Sequence, residues 1–171
     1  MSRKTQKTMS LMLGLASLAG IGFAPVAAQE MRPVLTTASA KAIVAGCEAY
    51  AADKGWRLNI AVFDQGKNLM AFLRMDGAQL GSVDIAQWKA NAAAAFPRPT
   101  KGAAESARTF PAIGHAPNIA IFEGGEAIFT TDGSHIGGVG VSGARGFEDA
   151  ECARAGIDKT GLTYSKPPAG D

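Results

Sequence analysis

The only imidazoles in the chain are His115 and His135. Imidazole is the commonest protein donor to a transition metal, and its charge changes near neutral pH. His115 stands between Gly114 and Pro117 in a segment that reads as a loop, where a cleft can reach it, so it ranks first as a metal contact. The plainer reading is a loop histidine bonded to backbone. His135 follows Asp132-Gly133 at a strand start, where the plainer reading is a solvated turn residue. No cysteine lies near either histidine, and their separation is not a zinc spacing. Lys89 sits among Ile85, Ala86 and Trp88. Its ammonium either pairs with a ligand carboxylate or snorkels over apolar surface. Thr100, directly after Pro99, either offers its hydroxyl to a ligand oxygen or caps the next helix.

Other chemistries are poorly served. Gly140-Val141-Ser142-Gly143 has the look of a phosphate cradle, since helix N-termini attract anions. Glu148, Asp149 and Glu151 follow it, however, and their carboxylates suit a helix start while repelling phosphate. No Gly-Lys-Ser/Thr ending is present. Gly-Val-Ser-Gly also lacks the G-x-S-x-G frame of a nucleophile elbow. The glycines are read first as structural or oligomer-contact positions. Asp149 and Glu151 are read as exposed helix-start charges and not as an acid/base dyad. The sequence therefore supplies no self-sufficient catalytic site.

The elements that must carry these residues follow from periodicity and punctuation. Ala40, Ile43, Val44, Cys47, Tyr50 and Ala51 recur at helical spacing between Thr36-Thr37 and Gly55. Strands are expected at 58–63 and 68–75, joined by Asp64-Gln65-Gly66-Lys67. Ser82 is expected to cap a helix over 83–96, which Pro97 and Pro99 close. A short helix over 100–108 and a loop follow. Three more strands are expected at 118–122, 127–131 and 135–142, then a helix over 147–155 stopped by Gly156. No βαβ repeat appears. The order predicts an α+β domain: an antiparallel sheet covered by helices.

The chain ends bear on location. Arg3, Lys4 and Lys7 precede an apolar run from Leu11 to Phe23, and Val26-Ala27-Ala28 fits a small-residue cleavage site. Residues 1–28 therefore read as a signal peptide, and a periplasmic or secreted protein is expected, without stable membrane insertion after cleavage. An uncleaved anchor is the alternative. The full chain carries 17 basic and 15 acidic residues. Removing residues 1–28 takes three basic ones, which leaves 14 against 15 and a net charge of −1. That balance gives no support for nucleic-acid binding. Residues 29–165 make one domain, and 166–171 read as a solvated tail. Cys47 and Cys152 both fall on apolar helix faces, so a disulfide and two buried thiols both remain open.

Several of these pieces, in this order, resemble the GlcG/HbpS haem-binding family, also found as the C-terminal domain of PduO proteins. They are Ala61-Val62-Phe63-Asp64 with Gly66, Ile85-Ala86-Gln87-Trp88-Lys89-Ala90, Pro99-Thr100 and Phe122-Glu123-Gly124-Gly125-Glu126-Ala127-Ile128. The strand 136–143, Glu148-Asp149 and Ala153-Arg154-Ala155-Gly156 complete the set. Ala144 departs from it, where many relatives have a second glycine. The resemblance implies a profilin-like α-β-α sandwich around a five-stranded antiparallel sheet. It also implies homo-oligomers, often octamers, and haem binding, with haem degradation or iron uptake in some members. On that reading haem is non-covalent, because no C-x-x-C-H is present. His115 is then the preferred axial ligand, His135 the second, Lys89 a propionate partner and Thr100 a further contact. Two other readings stand beside it. One is an auxiliary protein or enzyme binding a small carboxylate or corrinoid-like molecule through Lys89, Thr100 and Arg145. The other is an oligomeric scaffold.

Overall fold

The computed structural model describes residues 30–166. The expected signal peptide and all of the tail beyond Lys166 lie outside them.

Helix α1 spans Thr37–Lys54, and both of its ends are held as the sequence indicates. The Thr36 hydroxyl accepts the Ser39 N–H at 3.1 Å. Gly55, at φ 73°, turns the chain in the left-handed conformation that glycine adopts without cost. Strands β1 (Asn59–Asp64) and β2 (Leu69–Arg74) form the first hairpin. Helix α2 (Ser82–Ala95), short helix α3 (Lys101–Ser106) and a 3-10 turn (Pro111–His115) follow. Strands β3 (Gly125–Phe129) and β4 (His135–Ser142) form the second hairpin, and α4 (Gly146–Asp158) closes the fold. All pairings are antiparallel, in the order β2-β1-β4-β3.

The sheet has four strands and not the expected five. Residues 118–122 are irregular. Asn118 is left-handed at φ 57°, which breaks extended geometry at the start of the segment. Its carbonyl accepts from the Asn91 side chain, and the Phe122 carbonyl accepts from Thr100. Backbone groups that a ladder would use are thus taken by side chains from α2 and from the turn before α3.

Alternation along the strands builds three layers. Ile60, Val62, Ile128, Val139 and Val141 join Ile43, Cys47, Cys152 and Ile157 in the main core, so α1 and α4 cover one face. Ala61 packs with Ala86 and Ala90 on the other, under α2. There the strand has no side chains to offer. A Cβ on Gly138 would stand 2.5 Å from the Ala94 nitrogen, and one on Gly140 would overlap the Ala86 carbonyl and the Ala90 nitrogen. Glycine on the strand and alanine on the helix bring the two backbones into contact.

The opposite face has a similar contact. Gly156 was expected to stop α4, but the helix continues to Asp158. Its Cβ position is filled by the Ile43 carbonyl of α1, so the glycine serves a helix crossing. Cys47 and Cys152 bridge the same crossing as a disulfide, with Cα atoms 4.8 Å apart.

Gly140→Ala is expected to cost about 3 kcal/mol or more, since overpacking against backbone has no side chain to yield. Gly102→Ala, with open space around its Cβ, should cost nothing or stabilise α3. Urea denaturation of the two variants checks this.

Candidate functional site

The alanine face of α2 carries one long polar side chain, Lys89. Because the helix lies so close to β4, Lys89 cannot reach solvent and is 2% exposed. Its Nζ donates to the Val141 carbonyl and to Asp149 Oδ2, each at 2.8 Å. Asp149 is also 2% exposed, not a solvated helix-start charge. Its other oxygen accepts the Ala144 N–H at 3.0 Å. The pair thus ties α2, the end of β4 and the first turn of α4 together. Burial pushes the Lys89 ammonium below its ordinary value, against the pull of Asp149. Burial likewise raises Asp149 to about 6, against the pull of Lys89. Gly124 makes room for the pair: a Cβ there would lie 2.7 Å from both Lys89 Nζ and Asp149 Cβ.

Lys89 and Asp149 border an open cleft with Ile85, Arg108, Phe122 and Ser142. Ser142 is 5% exposed, and no described residue hydrogen-bonds its hydroxyl. Arg108 is exposed and makes no ion pair among the described residues. Arg108 was not singled out by sequence, and Ser142 was weighed there only within the Gly-Val-Ser-Gly turn. Their signal is slight: a serine ending a glycine strand, and an arginine after a short helix.

Thr100 is buried, and its side chain does not cap α3. Its hydroxyl donates to the Phe122 carbonyl at 2.7 Å and accepts the Gly125 N–H at 2.9 Å, fixing the entry to β3. It also lines a second depression, an apolar cavity of about 180 Å³ with walls that include Phe96, Ala103, Ile113 and Ile119. Arg98 is the cation in that lining, and its guanidinium lies 5.7 Å from the Phe96 ring centre. His115 is exposed at the end of the 3-10 turn whose Ile113 forms part of the cavity wall.

His135 lies elsewhere, in a groove with Gln65, Lys67 and Pro97. Its ring meets Phe129 with centroids 5.3 Å apart, and its Nε2 is enclosed without a hydrogen-bond partner. Burial lowers its pKa, so the neutral ring is favoured. Arg145 borders yet another groove, with Trp56 and Arg57. Lys89, Thr100 and Arg145 are thus not brought together. No group of three or more metal-ligating side chains occurs among the described residues.

A second buried carboxylate braces the core side. Glu126 Oε1 accepts from Arg154 at 2.7 Å. Burial raises Glu126 to about 7, with Arg154 pulling it down.

Comparison with known proteins follows this geometry. Residues 35–158 match a family model described as haem degrading protein HbpS-like. The chain is 40% identical over 116 residues to protein GlcG of Escherichia coli K12, covering 66% of this chain and 84% of that protein. A crystal structure of a double mutant of HbpS from Streptomyces reticuli superposes with a TM-score of 0.71 at 32% identity. The match covers 80% of this chain and 97% of that one. The structure of a PduOC:haem complex shares the fold with a TM-score of 0.71 at 21% identity, covering 77% and 99%.

Two outcomes are expected from the buried ions. Lys89→Met leaves the Asp149 carboxylate without its cation and should cost about 3–5 kcal/mol in urea unfolding, with much of it recovered in Lys89→Met/Asp149→Asn. Glu126 holds its proton more tightly folded (about 7) than at its ordinary 4.5. The folded chain therefore binds more protons between those values, and stability falls as pH rises through that window, by at most about 3 kcal/mol. Glu126→Gln should flatten that part of the pH–stability curve, while an unchanged slope would show that Glu126 is not its source.

Proposed function

The chain belongs to the HbpS-like family, and from that membership we propose that it is an exported haem-binding protein serving haem or iron handling. The single observation that carries the reading is the apolar cavity beside α3. Haem is a flat apolar ring with two carboxylates, and it needs apolar walls, a cation near the rim and an iron donor. Phe96, Ile113 and Ile119 supply the walls and Arg98 the cation. His115 does not line the cavity, but it follows Ile113 on the adjoining turn and its exposed imidazole is the donor nearest in sequence to that wall. The donor set fits the group. Bound haem would contribute an iron centre for ligand binding and electron transfer. The protein's part would be to give the ring an apolar wall, to pair Arg98 with a propionate and to offer His115 to the iron. His135 is the weaker donor, because its Nε2 is enclosed.

Export is supported by the basic and apolar leader and by the Cys47–Cys152 disulfide, a bond that persists in oxidising compartments. Assembly into a homo-oligomer is supported by edge strand β2, which leaves Leu69 and Phe72 partly exposed.

Haem titration followed by absorbance, with size-exclusion chromatography in parallel, tests the reading. The expected result is a saturable Soret band at a stoichiometry tied to the oligomer. His115→Ala should shift that band, His135→Ala should leave it, and Arg98→Glu should weaken binding about tenfold. A linear, unsaturable rise in absorbance would sink the proposal.

A further inference from the structure

Helix α3 stands between the apolar cavity and the cleft of Lys89. Ala103 faces the cavity and Ala104 the cleft. The cleft holds an unusual set of unspent polar groups. Ser142 is 5% exposed, and its hydroxyl has no hydrogen-bond partner among the described residues. Ser142 lies two residues beyond Gly140 on the strand face that α2 covers, and it lines the cleft. Lys89 spends two of its three ammonium protons on Val141 and Asp149, which leaves a third. Arg108 has five donors and no ion pair among the described residues.

Donors dominate, so the ligand must accept hydrogen bonds. Charge narrows it further. Lys89 is cancelled by Asp149, and Glu123 lies 3.7 Å from Lys101, which leaves Arg108 as the uncompensated charge. A dianion would meet the carboxylates of Glu123 and Asp149 in the same cleft. The remaining walls, Ile85, Ile121 and Phe122, are apolar. We propose that this cleft binds a small monocarboxylic acid, its carboxylate held by Arg108 and the Ser142 hydroxyl and its short tail laid against Ile85, Ile121 and Phe122. The planar guanidinium matches a carboxylate with two parallel hydrogen bonds, and the buried serine adds a third at a fixed position. This site does not rest on the haem reading, because its residues other than the shared α3 scaffold are different.

The test is calorimetric titration of the whole protein with propionate and butyrate. Propionamide serves as the uncharged control, succinate and inorganic phosphate as the dianions. Saturable binding of the monocarboxylates at millimolar concentration is expected, with at least about tenfold weaker responses from the amide and the dianions. Arg108→Ala, on an exposed side chain, should abolish binding without loss of folding, and Ser142→Ala should weaken it about fivefold. Haem titration of both variants should match the parent. Equal responses to acid and amide would overturn the proposal, as would undiminished binding by Arg108→Ala. If short acids give no saturation but Arg108→Ala weakens haem and spares haem dimethyl ester, the cleft takes a porphyrin carboxylate and the small-acid site is refuted.

Discussion

Van der Waals contact between the backbones of α2 and β4 governs the arrangement of everything around it. Helices normally ride on sheets at side-chain distance, but here glycines on the strand and alanines on the helix remove the spacer. The gain is dense packing with little side-chain entropy to lose. The cost is that any polar group on that helix face is carried into the interior. Lys89 is that group, and its burial is tolerable only because Val141 and Asp149 receive its protons. The ion pair is thus a consequence of the close approach, and the first turn of α4 is set in turn by the ion pair.

The same geometry explains why the depressions cluster around α3. The short helix, the 3-10 turn and the irregular segment 116–122 pack as a lobe beside α2 without joining the sheet. Thr100 is the staple, since one hydroxyl holds both Phe122 and Gly125. A lobe attached by few bonds leaves space on either side: a greasy cavity toward Phe96 and Ile113, a polar cleft toward Lys89 and Arg108. Two depressions of different chemistry therefore sit within one small domain.

How far residues announce this depends on whether their partners are near in sequence. Helix α1 was legible at both ends, because its threonine cap and its glycine stop are local devices. The irregular path of 118–122 was not, because the short apolar run from Ile119 to Phe122 reads as a strand, and only distant Asn91 and Thr100 show where its carbonyls go. Gly156 carried the signature of a stop. Its real role depends on Ile43, far away in the chain. Asp149 belongs to the same class: three acidic residues open α4, and nothing local says which one turns inward. The histidines and Lys89 stood out by residue type, but their separation into different depressions is a property of the tertiary fold alone.

The disulfide has a topological effect separate from packing. It joins the first helix to the last, so residues 47 to 152 form a covalent ring that contains the whole sheet, α2 and the α3 lobe. A single peptide-bond cleavage anywhere between those cysteines opens the ring without dividing the molecule. The exposed stretch around Phe110 and His115 can thus be nicked while both fragments stay linked through the disulfide.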